Sequence, residues 1–144
     1  MKKILMLLLS FAVVLSAFTA CSKNDTEGSV CVVIATEEPT VFEVPLSEID
    51  EEGGLEAALI YLQREKGIEY DATGGFLNKV GELENNYETG TYIYIYTSVE
   101  SDFDVSEYKT EIEYEGKTLV SSGVGVNDMS LIDGAVIYIG IIVW

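Results

Sequence analysis

The chain contains no histidine. That absence excludes Ser-His-Asp and Cys-His catalytic arrangements and the usual histidine-bearing zinc sites. Basic residues are scarce: eight lysines and arginines stand against 25 aspartates and glutamates, a net charge of −17. Nucleic acid is therefore excluded as a partner, because binding it relies on Lys and Arg neutralising phosphates. Anionic headgroups would be repelled as well, and cationic ligands, divalent metal ions or basic surfaces are favoured. The plainer role of such a charge is to keep the protein soluble. Only two cysteines and two prolines occur. One disulfide at most could form, so the fold must rest on its apolar core. No internal repeat and no low-complexity tract is present.

The first residues point to a compartment. Met1-Lys2-Lys3 is a positive start, and Ile4 to Ala20 carries no charge. Phe18-Thr19-Ala20-Cys21 then switches abruptly to Ser22-Lys23-Asn24-Asp25. A charged start, a short apolar stretch and small residues before a cut describe a secretory signal peptide over residues 1–20. A cysteine directly after the small residues resembles the lipobox of bacterial lipoproteins. The resemblance implies that Cys21 is diacylated and becomes the new N-terminus, anchored in a lipid bilayer. Stable anchoring takes two acyl chains, each buried methylene contributing about 0.8 kcal/mol. Residues 21–29 would then be a lipidated, polar tether. The expected location is extracytoplasmic, lipid-anchored to a bacterial cell membrane. Loss of Lys2 and Lys3 with the signal leaves six basic residues against 25 acidic ones, a net charge of −19. With Cys21 acylated, Cys31 is the remaining thiol; its setting in Val30-Cys31-Val32-Val33-Ile34 predicts a packed core position.

Residues 30–144 are long enough for one domain with a real core. Residues 30–36 and 40–44 read as β-branched strands that could pair as a hairpin across Glu37-Glu38-Pro39. Residues 47–54 read as an acidic loop. Leu55, Ala58, Leu59 and Leu62 fall at i, i+3, i+4 and i+7, predicting a helix over 55–66 with one apolar stripe. Arg64 and Lys66 suit its C-terminal end, and Gly67 stops it. Strands follow: a weak one within 75–83, the alternating 91–97, then 108–115 and 118–120, with a glycine-punctuated irregular segment over 121–127. Ala135 to Trp144 is apolar on both faces, as in a central strand covered on each side. Hairpin, helix, then strands is the order of an α+β fold, a β-grasp-like mixed sheet packed on a single helix.

Four segments carry a further resemblance: Leu55-x-x-Ala58-Leu59 on the helix, Gly75-Phe76 through Val80-Gly81, the tyrosine strand 92–96, and Leu131-Ile132-Asp133-Gly134 before the last strand. Together they resemble the C-terminal domain of transcobalamin and intrinsic factor, a β-grasp-like family. The resemblance implies a surface domain that helps enclose a corrinoid. Many members of that family are surface modules without an established ligand, and fold does not fix function.

Candidate sites follow from this. Cys31 has no companion base, and among 25 acids no carboxylate pair is singled out for glycoside hydrolysis. Gly123-Val124-Gly125-Val126 lacks the lysine and helix start of a phosphate loop. The expectation is a non-enzyme without a cofactor. Asp102, Asp104, Ser106, Tyr108 and Glu113 match positions 1, 3, 5, 7 and 12 of a calcium loop, but Glu107 stands where glycine makes the turn, and Lys109 occupies a normally apolar position. An acidic, solvated loop is the simpler reading, with incidental Ca²⁺ binding among Glu100, Asp102 and Asp104 as the alternative. The alternation at 91–97 puts Ile93 and Ile95 on one face and Tyr92, Tyr94 and Tyr96 on the other. Such a platform either braces neighbouring elements or holds a corrinoid, a glycan or a peptide. Tyr92 and Tyr94 are the leading candidate ligand contacts, with Phe76 and Asn127 added from the family's segment positions. The expected role is binding of a small molecule, for which the resemblance implies a corrinoid. The alternative is a surface module contacting a protein or glycan. A cleft at the tyrosine strand favours the first, and a flat exposed face favours the second.

Overall fold

A computed structural model describes residues 26–144. The signal segment, Cys21 and most of the tether lie outside these residues. Strands β1 (Ser29–Ile34) and β2 (Thr40–Pro45) form the expected hairpin, paired antiparallel from Ser29↔Pro45 to Ile34↔Thr40. The sheet begins at Ser29, with Gly28 already held: its carbonyl accepts the Leu46 N–H at 3.0 Å. Helix α1 spans Gly54–Lys66 and ends on Gly67, whose φ of 69° is a left-handed cap that satisfies the carbonyls of Leu62 and Gln63. Short strands β3 (Tyr70–Thr73), β4 (Phe76–Val80) and β5 (Leu83–Glu84) form a small antiparallel sheet. Then come β6 (Thr91–Thr97), β7 (Glu111–Tyr114), β8 (Lys117–Ser121) and β9 (Val136–Val143).

The main sheet has the order β2-β1-β9-β6-β8-β7. It is mixed: β1 and β9 run parallel at its centre, and every other neighbouring pair is antiparallel. The α+β, β-grasp-like architecture expected from element order is therefore the observed one. One face of the sheet buries Val30, Val32, Ile137 and Ile139 against Leu55, Ala58, Leu59 and Leu62 of α1. The small sheet closes the same core with Leu77, Val80 and Leu83. At roughly 1.5–3 kcal/mol per fully buried aliphatic side chain, this cluster is the main stabilising feature.

The opposite face is covered differently. β8 pairs with β6 only at Tyr96↔Ser121 and Thr97↔Val120, and the β7–β8 hairpin then folds across the sheet. Leu119, Ile112 and Tyr114 pack there on Val33, Val136 and Tyr138, and Lys117 reaches the Gly134 carbonyl at 3.4 Å. The hairpin turn is only two residues long, Glu115 and Gly116, with φ of 46° and 76°. Positive φ at both positions is the type I′ geometry that matches strand twist.

Three expectations change. Cys31 is half-buried at the edge of this second cluster rather than sealed in the core, because it faces the hairpin side and not the helix. β9 is covered on both faces only in its first half; Ile141, Val143 and Trp144 are exposed, because β1 and the helix end before reaching them. Strand β3 is an addition, since Tyr70–Thr73 carries too little apolar alternation to announce itself. Among the described residues, the strand pairings and the two apolar clusters are formed within residues 29–143, so this segment carries its own core.

Candidate functional site

The sheet leaves one strand half-partnered. β6 pairs with β9 along its whole length, Thr91↔Val143 to Thr97↔Ile137, while β8 leaves its other side after Tyr96. The gap becomes a groove of about 710 Å³. Ile93 and Ile95, with Leu77 and Val126, line it where it meets the helix-side core.

Backbone and side-chain hydrogen bonds frame the opening. On one side the Asn85 carboxamide spans from the small sheet to β6. Its Oδ1 accepts the Ile93 N–H at 2.6 Å, and its Nδ2 donates to the Leu77 carbonyl at 3.3 Å and to Asn78 Oδ1 at 3.5 Å. On the other side the Ser122 N–H donates to the Ile95 carbonyl at 2.8 Å. The far wall is a crossing of two glycines. Val126 N–H donates to the Gly75 carbonyl at 3.0 Å, and a Cβ on Gly125 would stand 3.2 Å from that same oxygen. A side chain at 125 would crowd that carbonyl, and the φ of +84° at Gly75 favours glycine, so the two glycines ease the approach of the 122–128 segment to the β3–β4 turn.

Aromatic groups ring the mouth. Tyr92 and Tyr94 line it and are half-buried, and Tyr87 meets Tyr92 edge-on at 5.7 Å between ring centroids. Phe76, Tyr87 and Trp144 are 76%, 71% and 72% exposed. Tyr96 is drawn away into a row with Tyr94 (5.4 Å), Tyr138 (6.2 Å) and, beyond it, Tyr114, and accepts a 3.2 Å hydrogen bond from Thr110. The tyrosine face is thus divided: Tyr92 and Tyr94 border the groove, while Tyr96 braces the folded-over hairpin.

Of the four candidate ligand contacts, the fold brings Tyr92, Tyr94 and Phe76 together on one groove. Asn127 does not join them. Its side chain is exposed, and its backbone packs on the start of α1, where a Cβ on Gly54 would lie 2.6 Å from the Asn127 carbonyl carbon. Asp128 lines the groove instead. Asn85, Gly75 and Gly125 were not anticipated. Two neighbouring glycine pairs, Gly74-Gly75 and Gly123-x-Gly125, were the visible signal of a close backbone crossing.

The acidic loop does other work. Asp102 is 3% exposed, and its carboxylate accepts the Ser130 N–H at 2.6 Å and hydroxyls of Ser130 and Ser101 at 2.9 and 3.1 Å. Asp104 accepts the Ser106 N–H at 2.8 Å, which holds its carboxyl below the usual carboxylate range. The calcium-loop spacing is therefore spent on turn and core bonds. Among the described residues no three His, Cys, Asp or Glu side chains gather to hold a metal ion. A second cavity, about 520 Å³, lies beside Ile34, Phe42, Ile68, Glu37, Glu38 and Glu82 and contains none of the candidate residues.

The fold has a solved counterpart. A proposed metal-binding protein from Ruminococcus gnavus, known from its crystal structure, superposes with a TM-score of 0.52. The alignment covers 82% of this chain and 99% of that one at 12% sequence identity. At that identity the likeness shows the fold alone. No protein-family profile and no curated protein matches the chain.

Proposed function

We propose that the chain is a lipid-anchored, extracytoplasmic lipoprotein whose domain binds a small ligand in the β6 groove without catalysis. Export and anchoring rest on the charged start, the uncharged residues 4–20 and the lipobox-like position of Cys21. The groove carries the binding reading. It is concave, about 710 Å³, apolar at its base and aromatic at its rim, within the roughly 300–1,000 Å³ typical of small-molecule sites. The absence of chemistry rests on composition: the chain has no histidine, and Asp128 has the single acidic side chain among the residues lining the groove. Metal binding, proposed for the R. gnavus protein, finds no ligand cluster among the described residues.

A corrinoid is the first ligand to test, as the resemblance to transcobalamin-type domains implies. Titration of cobalamin and cobinamide into residues 22–144 is expected to give micromolar binding. Tyr92→Ala or Tyr94→Ala should weaken it about tenfold, as for a contact worth more than about 1 kcal/mol. No binding at about 100 μM, an affinity under roughly 5–6 kcal/mol, would dismiss the corrinoid.

The second reading is a surface module contacting a protein or glycan. The exposed Phe76, Tyr87 and Trp144 favour it, since large exposed aromatics mark contact surfaces.

A further inference from the structure

The backbone that forms the groove wall carries its own recognition chemistry. In a strand the N–H and C=O of one residue point to the same edge, and consecutive residues alternate edges. The bonds of β6 fix which edge is which. Ser98 N–H donates to Val136 of the β9 side, and Trp144 N–H donates to Gly90. Ser122 donates to Ile95, and Asn85 accepts from Ile93, on the groove side. The even-numbered residues of β6 therefore bond β9, and the odd-numbered ones face the groove.

Along that groove edge most groups are satisfied. Thr91 exchanges both backbone bonds with Asn86, at 2.8 and 2.9 Å. Ile93 gives its N–H to Asn85, Ile95 receives Ser122 at its carbonyl, and Thr97 pairs with Val120. Two groups remain among the described residues: the carbonyl of Ile93 and the N–H of Ile95, which flank Tyr94 and face the groove with no strand beside them. Half-buried backbone groups of this kind are paired by water or by a ligand, because leaving them bare costs free energy.

We infer that the groove recognises a short peptide-like ligand by strand pairing. One residue lies opposite Tyr94, the carbonyl before it accepts the Ile95 N–H, and the amide N–H after it donates to the Ile93 carbonyl. This deepens the proposed function and rests on the groove being its binding site. The geometry fixes the length. Asn85 and Ser122 block the positions opposite Ile93 and Ile95, so one residue, with the carbonyl before it and the N–H after it, fits in the sheet plane, and the ligand leaves that plane on either side. It also sorts the side chains. The central one shares the face of Tyr94 and Tyr96, which suits an aromatic. The charge selects too: with Asp128 at the groove and a net charge of −17, a neutral or cationic ligand is accepted and an acidic one repelled. A corrinoid also carries amides, but not two of them spaced by a single α-carbon.

The test uses acetyl-Val-Tyr-Val-amide and ¹⁵N-labelled residues 22–144. Before ligand is added, the Ile95 N–H should exchange with solvent faster than those of Tyr94 and Tyr96. Saturating peptide should protect it and shift its resonance most. Replacing the third residue's N–H by an ester oxygen, or methylating it, should weaken binding about five- to tenfold, as expected for one hydrogen bond. Equal binding by the ester would overturn the strand-pairing inference, and so would no binding at about 1 mM. If cobinamide shifts the 93–95 and 74–78 resonances while the peptide does not, the groove stands and the peptide falls. If neither shifts them, both fall.

Discussion

The side-chain oxygen of Asn85 sits 2.6 Å from the N–H of Ile93, occupying on β6 the place that a neighbouring strand would take. A carboxamide can do this because it accepts from β6 with one end and donates to the Leu77 carbonyl with the other. It therefore ties the small sheet to the large one and sets the width of the groove between them.

Asn85→Ala is expected to lose these bonds and leave the Ile93 N–H bare. Chemical denaturation should show a loss of about 1–3 kcal/mol. Asn85→Asp keeps the acceptor for Ile93 but turns a carboxylate oxygen toward the Leu77 carbonyl and Asn78 Oδ1, and should cost at least as much.

Gly54 tests how the opposite wall is held. Its φ is +60°, and a Cβ there would lie 2.5 Å from the Val126 carbonyl oxygen. Gly54→Ala adds backbone strain to a clash with the 122–128 segment, and should cost about 3 kcal/mol or more. Gly67→Ala is the control. Its φ is +69° with nothing within 4 Å, so strain acts alone and about 1 kcal/mol is expected. Equal melting temperatures for the two variants would refute the packing account of Gly54.

Asp102 anchors the same segment from below. Its carboxylate holds Ser130, and its backbone carbonyl accepts the Gly123 N–H at 2.8 Å. Asp102→Asn turns an amide donor toward groups that themselves donate. A loss of about 2–3 kcal/mol in unfolding free energy is expected, with any ligand affinity reduced as the groove wall loosens. Adding Ca²⁺ should leave the stability of the native chain unchanged, since the carboxylate is already committed.

Cys31 reports on the folded-over hairpin through its acidity. Burial pushes its thiol above the ordinary cysteine value, and the carboxylates of Glu43 and Glu115 push the same way. The native state thus holds its proton longer than the unfolded chain does. Its contribution to stability is complete below the ordinary thiol pKa and declines as pH rises toward the elevated one. Alkylation of Cys31 by iodoacetamide should accelerate at a higher pH than for a cysteine peptide. Glu115→Gln should bring the two profiles closer. A Cys31 profile identical to the peptide's would show that the hairpin does not lie over it.

Much of the fold is legible along the chain because its signals are local. Leu55, Ala58, Leu59 and Leu62 announce a helix and its buried stripe, Gly67 announces its end, and the alternation of 91–97 assigns Ile93 and Ile95 inward. Strand β3 escaped notice because Tyr-Asp-Ala-Thr has no apolar rhythm of its own and exists by pairing with β4. Cys31 was misplaced because a run such as Val-Cys-Val-Val-Ile does not say which face meets the helix and which meets the thinner hairpin layer.

The site divides in the same way. The sequence alone determined the acidity, the lack of histidine chemistry, the helix and an aromatic strand with Tyr92 and Tyr94 on one face. These depend on residue identity and on periods of two or 3.6 residues. Only the tertiary structure decided that β8 abandons β6 after two residues, that Gly125 crosses Gly75, that Asn85 bridges the sheets, and that Asn127 turns away. Each of those joins positions distant along the chain through backbone hydrogen bonds and close packing, and no local pattern encodes which distant backbone will arrive at a given edge.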